Sequence, residues 1–188
     1  TRPWSSLCVL ADSWCPPSEK GWRPYASRGI RNAIRAGLLE VDFYNAAEVA
    51  TRLTGQAGLV VVISSGLAGV GSAIALEDVS VLAAVLGGIL AGVVGWLLWS
   101  LASWLIGTRI FGGEATYPAM LRVIGFAYTP LAIGVIPWLG FPGAAWMLVA
   151  AVVAFREGLD ISTPKAIGTM AVGWGLWLGV TVVLNLVL

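Results

Sequence analysis

Val81 to Gly107 reads VLAAVLGGILAGVVGWLLWSLASWLIG, an apolar run without one charged residue. At about 1.5 Å of rise per residue, this run as a helix exceeds a hydrocarbon core of roughly 30 Å. A helix that is apolar on every face has no side to show to water, and a small soluble domain rarely carries one. The rest of the composition agrees. The chain is 58% hydrophobic and 11% charged with a mean hydropathy of +0.86, against roughly a quarter charged in an ordinary soluble domain. The expected fold is all-α, a polytopic membrane bundle of five transmembrane helices preceded by a cytoplasmic amphipathic helix.

Working toward the N-terminus, Ala57–Leu76 is a first uncharged span, closed by the short turn at Glu77-Asp78. Ser65 and Gly69 stand one helical turn apart on it, and Gly88 and Gly92 have GxxxG spacing on the second span. Small residues at this spacing let two backbones approach closely, so these four are expected helix-packing positions. Residues 29–56 read as cytoplasmic or interfacial helices. Ile30, Ala33, Ile34 and Leu38 form an apolar stripe, while Arg28, Arg31 and Arg35 lie off it. That pattern fits a helix in the headgroup region, its arginines meeting anionic lipid, or one packed on the protein's own cytoplasmic face. Asn45 and Glu48 resemble a capping box that opens a second short helix ending near Leu53. Residues 1–28 form an irregular cytoplasmic tail, broken by Pro16-Pro17 and Pro24 and marked by Trp4, Trp14 and Trp22. Its apolar part, Leu7–Ala11, is too short for a signal peptide. Cys8 and Cys15 match no zinc or redox motif and are expected as reduced thiols.

Working toward the C-terminus, Thr108–Tyr117 is a polar connector and Pro118 falls in the first turn of the next helix. The third run, Met120–Leu139, holds Arg122 near its start and Pro130 in its middle. Pro130 should kink the helix and free a carbonyl near Phe126, with Tyr128 and Thr129 at hand to satisfy it. Gly140-Phe141-Pro142 reads as a tight turn. Gly143–Phe155 follows as a run of roughly 20 Å, short for a full crossing. Two short crossing helices are expected, the alternative being a hairpin that dips in and returns. After the polar connector Arg156–Lys165, the last span Ala166–Leu188 carries Ala171, Gly175 and Gly179 on one face as packing positions. Trp174 and Trp177 lie on adjoining faces, placed to touch lipid, quinone or pigment tails.

Basic residues set the orientation. All 11 lysines and arginines fall on the side of the N-terminal tail, and the other side holds Glu77 and Asp78. This predicts an N-terminus in the cytoplasm and a C-terminus outside.

The charge and side-chain inventory also limits function. A net charge of +1 recruits no nucleic acid by bulk electrostatics. Histidine is absent, removing the commonest metal ligand and general base, so no metal, cofactor or catalytic residue is expected. Ser64-Ser65 has no conventional base within the spans, and Gly112-Gly113 lacks the spacing of a phosphate-binding loop. Arg122 is the single ionisable side chain inside an apolar segment. It either snorkels to the headgroups or forms an ion pair with Glu114 or Glu157 that pins the inner connectors together.

Gly112-Gly113-Glu114-Ala115-Thr116-Tyr117-Pro118, continuing through Arg122 and Gly125-Phe126-Ala127-Tyr128-Thr129-Pro130, resembles the pattern of bacterial members of the Yip (Ypt/Rab-interacting protein) family. The segments Leu148–Asp160, Lys165-Ala166-Ile167 and Arg35–Leu39 fit the same pattern. The resemblance covers about residues 30–188 and leaves out the tail. It implies five spans and a role in organising membranes or partner proteins, and it supplies no catalytic residue. The expected function is therefore contact: a membrane scaffold, or an accessory subunit bracing a larger assembly such as a photosynthetic or respiratory complex. Its expected partners are membrane lipids and other integral membrane proteins. The alternative is a small-solute transporter or channel, for which the broken third run is the one favourable feature.

Overall fold

A computed structural model describes residues 29–76 and 80–187, with 176–187 as backbone only. The tail with Arg28 and the turn at Glu77-Asp78 lie outside the described residues, as do the side chain of Trp177 and the surroundings of Gly179.

The described residues form helices α1 (Gly29–Gly37), α2 (Val41–Val49), α3 (Thr54–Ala75), α4 (Val81–Arg109), α5 (Tyr117–Ala127), α6 (Gly140–Gly158) and α7 (Thr163–Val187). Among them, Thr51–Ala75, Val81–Arg109, Tyr117–Val135 and Pro137–Gly158 are long and apolar enough to cross a membrane. α3 lies against α4 and against the segment after α5, while α7 packs on α4 and α6.

Glycine sets the closest of these contacts. A methyl group added at Gly69 would stand 2.6 Å from the Ala84 carbonyl, and one at Gly88 would stand 2.9 Å from the Ser65 carbonyl. At Gly71 it would collide with the Gly134 carbonyl. Backbone meets backbone there, and a larger side chain has no rotamer that avoids the clash.

Three local expectations are corrected. The helix after α1 starts at Val41 and not at Asn45. Leu39 adopts a left-handed backbone (φ 60°) that ends α1, and Glu40 is extended, so the chain re-enters a helix four residues early. Asn45 then lies inside α2 and forms no cap.

Pro130 ends the α-helix rather than kinking it. Its missing N–H interrupts the ladder, α5 stops at Ala127, and Thr129–Val135 continues as a 3-10 helix. The Phe126 carbonyl accepts from Thr129 Oγ1 at 2.8 Å.

The fourth run is longer than thirteen residues. Gly140, Phe141 and Pro142 form the first turn of α6, where proline needs no N–H, and the helix has 19 residues. The turn itself lies earlier, around Ile136, whose N–H bonds back to Ile133 at 3.1 Å.

Candidate functional site

Two places gather the side chains that carry chemistry. The first is a junction between the surface helices and the bundle. Arg122, only 4% exposed, donates from Nε to the Ala47 carbonyl at 2.8 Å and from Nη2 to the Glu48 carbonyl. Both acceptors belong to the last turn of α2, where carbonyls lack helical partners and the helix dipole is negative. Arg122 therefore acts as a C-terminal cap delivered from another helix.

The expected ion pair with Glu114 or Glu157 is not formed among the described residues, and the side chain is buried within the protein. α2 folds over α5 and its free carbonyls meet the guanidinium first. Glu157 lies instead beside Arg156, with Nε 3.2 Å from Oε1, though not aligned as a hydrogen bond. Glu114 is fixed through its backbone N–H to the Leu159 carbonyl at 3.2 Å. Gly113 likewise donates to Gly107 at 2.9 Å, so the N–H groups after Gly112 (φ +70°) face protein carbonyls rather than an anion.

Around this junction, Phe43 packs edge-on to Phe126 at 4.9 Å, and Trp146 Nε1 donates to the Gly37 carbonyl at 2.8 Å. Tyr44 donates to the Ala36 carbonyl at 3.1 Å, and burial pushes its hydroxyl well above the ordinary phenol range. Glu48 is held above the usual carboxylate range by burial and then by Asp160, against the opposing pull of Arg122. α1 turns Asn32 and Ala36 inward, with Asn32 donating to Gln56 at 2.9 Å. Its apolar stripe faces out: Ile30 is 83% exposed, and Ile34 and Leu38 are also exposed. Arg31 is exposed too, and Arg35 pairs with Glu40 at 3.5 Å.

The second place is a cavity of about 920 Å³ among α3, α4, the 3-10 segment, α6 and α7. Ser65, Gly69, Gly88 and Gly92 come together on one wall, with Ser65 Oγ against Gly92. Tyr128, Phe141 and Trp174 form other parts of the lining. Trp99, 4% exposed, stands edge-on to Phe155 at 5.7 Å and to Tyr128 at 6.5 Å.

Its hydrogen bonding is exceptional for its helix. Trp96 Nε1 donates to Leu121 at 2.9 Å and Trp104 Nε1 donates to Ala115 at 3.0 Å, whereas Trp99 Nε1 has no partner. Ser65, Ser100 and Ser103 also hold buried, unpartnered hydroxyls.

On α7 the buried face runs through Ala166, Thr169 and Gly173, where a methyl group would come within 2.8 Å of Trp99 Nε1. Ala171 and Gly175 are exposed, so the expected packing face is rotated from the observed one. The small-residue pattern repeats on more than one side of α7, and its packing on α4 and α6 decides which side it uses. The cavity itself was not readable from sequence, because its walls come from five separated segments. Trp96, Trp99 and Trp104 all lie toward the C-terminal end of α4, and which one lacks an acceptor depends on tertiary placement. Among the described residues, no three acidic, histidine or cysteine side chains gather as a metal would require.

No curated protein and no solved structure shows a significant match. The model of the Yip1 domain family matches residues 40–184, which include both the Arg122 junction and the cavity walls. With that match running over most of its length, the chain belongs to the Yip1 domain family, and it is an integral membrane protein.

Proposed function

We propose that the chain works by contact rather than catalysis, as a membrane scaffold or as an accessory subunit bracing a larger membrane complex. The observation that supports this is the destination of Arg122. A charge in an apolar segment commonly marks a transport path or a proton relay. Here it caps α2 and ties the surface helices to the bundle. In this reading residues 29–53 are a platform on the cytoplasmic face of a bacterial inner membrane. Ile30, Ile34 and Leu38 enter the interface while Arg28, Arg31 and Arg35 meet headgroups. α7 is the fifth span, leaving the C-terminus outside. Photosynthetic and respiratory assemblies are the concrete candidates for the larger complex.

Extraction in mild detergent followed by native mass measurement tests this reading. A stoichiometric complex with other integral membrane proteins is expected, and recovery only as a lone monomer would overturn the accessory role. A small-solute transporter or channel is the second reading, favoured by the break in the α-helix where Thr129–Val135 turns to 3-10 geometry. Flux of a solute through reconstituted liposomes would establish it in place of the first.

A further inference from the structure

We infer that the hairpin of α1 and α2 thins the bilayer beside it, drawing phospholipid headgroups of the cytoplasmic leaflet about 10 Å toward the midplane. At α4, on another side of the protein, the bilayer keeps its full thickness. The inference rests on the cytoplasmic placement of residues 29–53 proposed above and needs no partner complex.

Contacts along the bundle set the depth of the hairpin. α1 starts beside the inner end of α3, where Asn32 donates to Gln56 at 2.9 Å. At its far end the Gly37 carbonyl accepts from Trp146 Nε1 at 2.8 Å, and a methyl group added at Gly37 would stand 3.4 Å from Thr129 Cγ2. Thr129 lies beyond Arg122 by about 10 Å of helix. Trp146 lies about 9 Å along α6 from Gly140, its outer end, and about 18 Å from Gly158, its inner end. α2 then returns from this level, with Phe43 against Phe126 and the Ala47 carbonyl at Arg122.

The tip at that depth is charged. Arg35 pairs with Glu40 at 3.5 Å with 33% and 44% of their side chains exposed, and Arg31 and Asp42 are exposed as well. A hydrocarbon layer of roughly 30 Å, measured inward from Gly140, would reach past Gly158 and surround these groups with oil. Ionised side chains are expensive there. Trp138 and Phe141, both strongly exposed, mark the outer interface at the start of α6. Moving the whole layer outward would bury that turn. A thinner layer at the hairpin removes the conflict: Ile30, Ile34 and Leu38 meet acyl chains and the flanking charges meet headgroups. α4 sets no such limit, since it is uncharged from Val81 to Thr108.

The test uses the full chain with Cys8→Ser and Cys15→Ser in nanodiscs of phosphatidylglycerol containing a lipid with a nickel chelate on its headgroup. A nitroxide is attached at Leu38→Cys on the hairpin tip or at Val94→Cys on α4, both exposed positions. The two share one level. Thr129 stands between Gly125, which meets Ala57, and Gly134, which meets Ala68, and over the same stretch of α3 Gly58 meets Trp96 and Ser65 meets Gly92. Headgroup nickel should relax the Leu38 label at least fivefold more than the Val94 label. Replacing Arg31, Arg35, Glu40 and Asp42 together by leucine should lower that ratio at least twofold. Equal relaxation at the two sites, or a ratio unmoved by loss of the charges, would overturn the inference. So would relaxation of the Leu38 label by a soluble chelate alone, the mark of a water-filled crevice, or crosslinks from Ile34 to residues 1–28 or to another protein. Recovery of the chain as a lone monomer would remove the accessory role and leave the label ratio as it is, so the two ideas fail separately.

Discussion

Arg122 shows how a single side chain settles the fate of a charge at the edge of a bilayer. Its two N–H groups reach two adjacent carbonyls in a fixed fork, a geometry that a lysine ammonium does not reproduce. Arg122→Ala removes both bonds and leaves the end of α2 without its cap. We expect a loss of about 3 kcal/mol, read as a lower melting temperature together with faster amide exchange across residues 41–53. Arg122→Lys should fall between the two proteins, and equal melting of all three would contradict the capping role. Glu48 adds a pH dependence at the same junction. Its carboxyl titrates above its unfolded value, so the folded state holds the proton more tightly. Stability is then full below the ordinary glutamate range and declines as pH rises through the raised value. Glu48→Gln should melt higher than the parent at neutral pH, with the gap closing on acidification. Sequence marked Arg122 as a charge that had either to reach the headgroups or to find a partner. It could not show that the partner was backbone, because a carbonyl carries no residue identity.

The transmembrane helices were largely legible from composition, while their ends and mutual faces were not. Pro118 occupies the first turn of α5 as its missing N–H requires, and Thr116 caps that turn by accepting from Ala119. Pro130 also removes an N–H, but in mid-run, and whether a helix bends or stops there depends on what surrounds the freed carbonyl. Thr129 satisfies it from its own side, and α3 accepts the resulting 3-10 segment through Gly71 against Gly134. Gly71→Ala should therefore be among the most damaging substitutions in α3, with a clear drop in melting temperature and in yield of folded protein. Gly87→Ala has open space and a helix-favouring residue in place of glycine. It should leave melting unchanged or raise it. A thermal scan of the two variants side by side decides whether backbone approach, rather than glycine content, holds these helices.

At the scale of the molecule, the charge asymmetry predicts one orientation. A fluorescent protein fused after Leu188 should stay dark and an alkaline phosphatase fused there should be active, with the reverse result for fusions before Thr1. The opposite outcome would invert the proposed topology. Sequence carries this expectation through the lysines and arginines, which all fall on one side of the spans. It could not supply the cavity, which exists only where segments distant in the chain fail to fill the space between them. The junction at Arg122 also bears on biosynthesis. Ala47 and Glu48 precede Arg122 by 75 and 74 positions, so the ribosome finishes both acceptors well before the arginine emerges. A lone arginine costs about 2.5–3.5 kcal/mol at the centre of an inserting segment, which is an upper bound for Arg122 near the start of its own. Here the carbonyls that receive it are already made when Tyr117–Val135 enters the membrane, and a chain lacking residues 41–53 should insert that segment less efficiently.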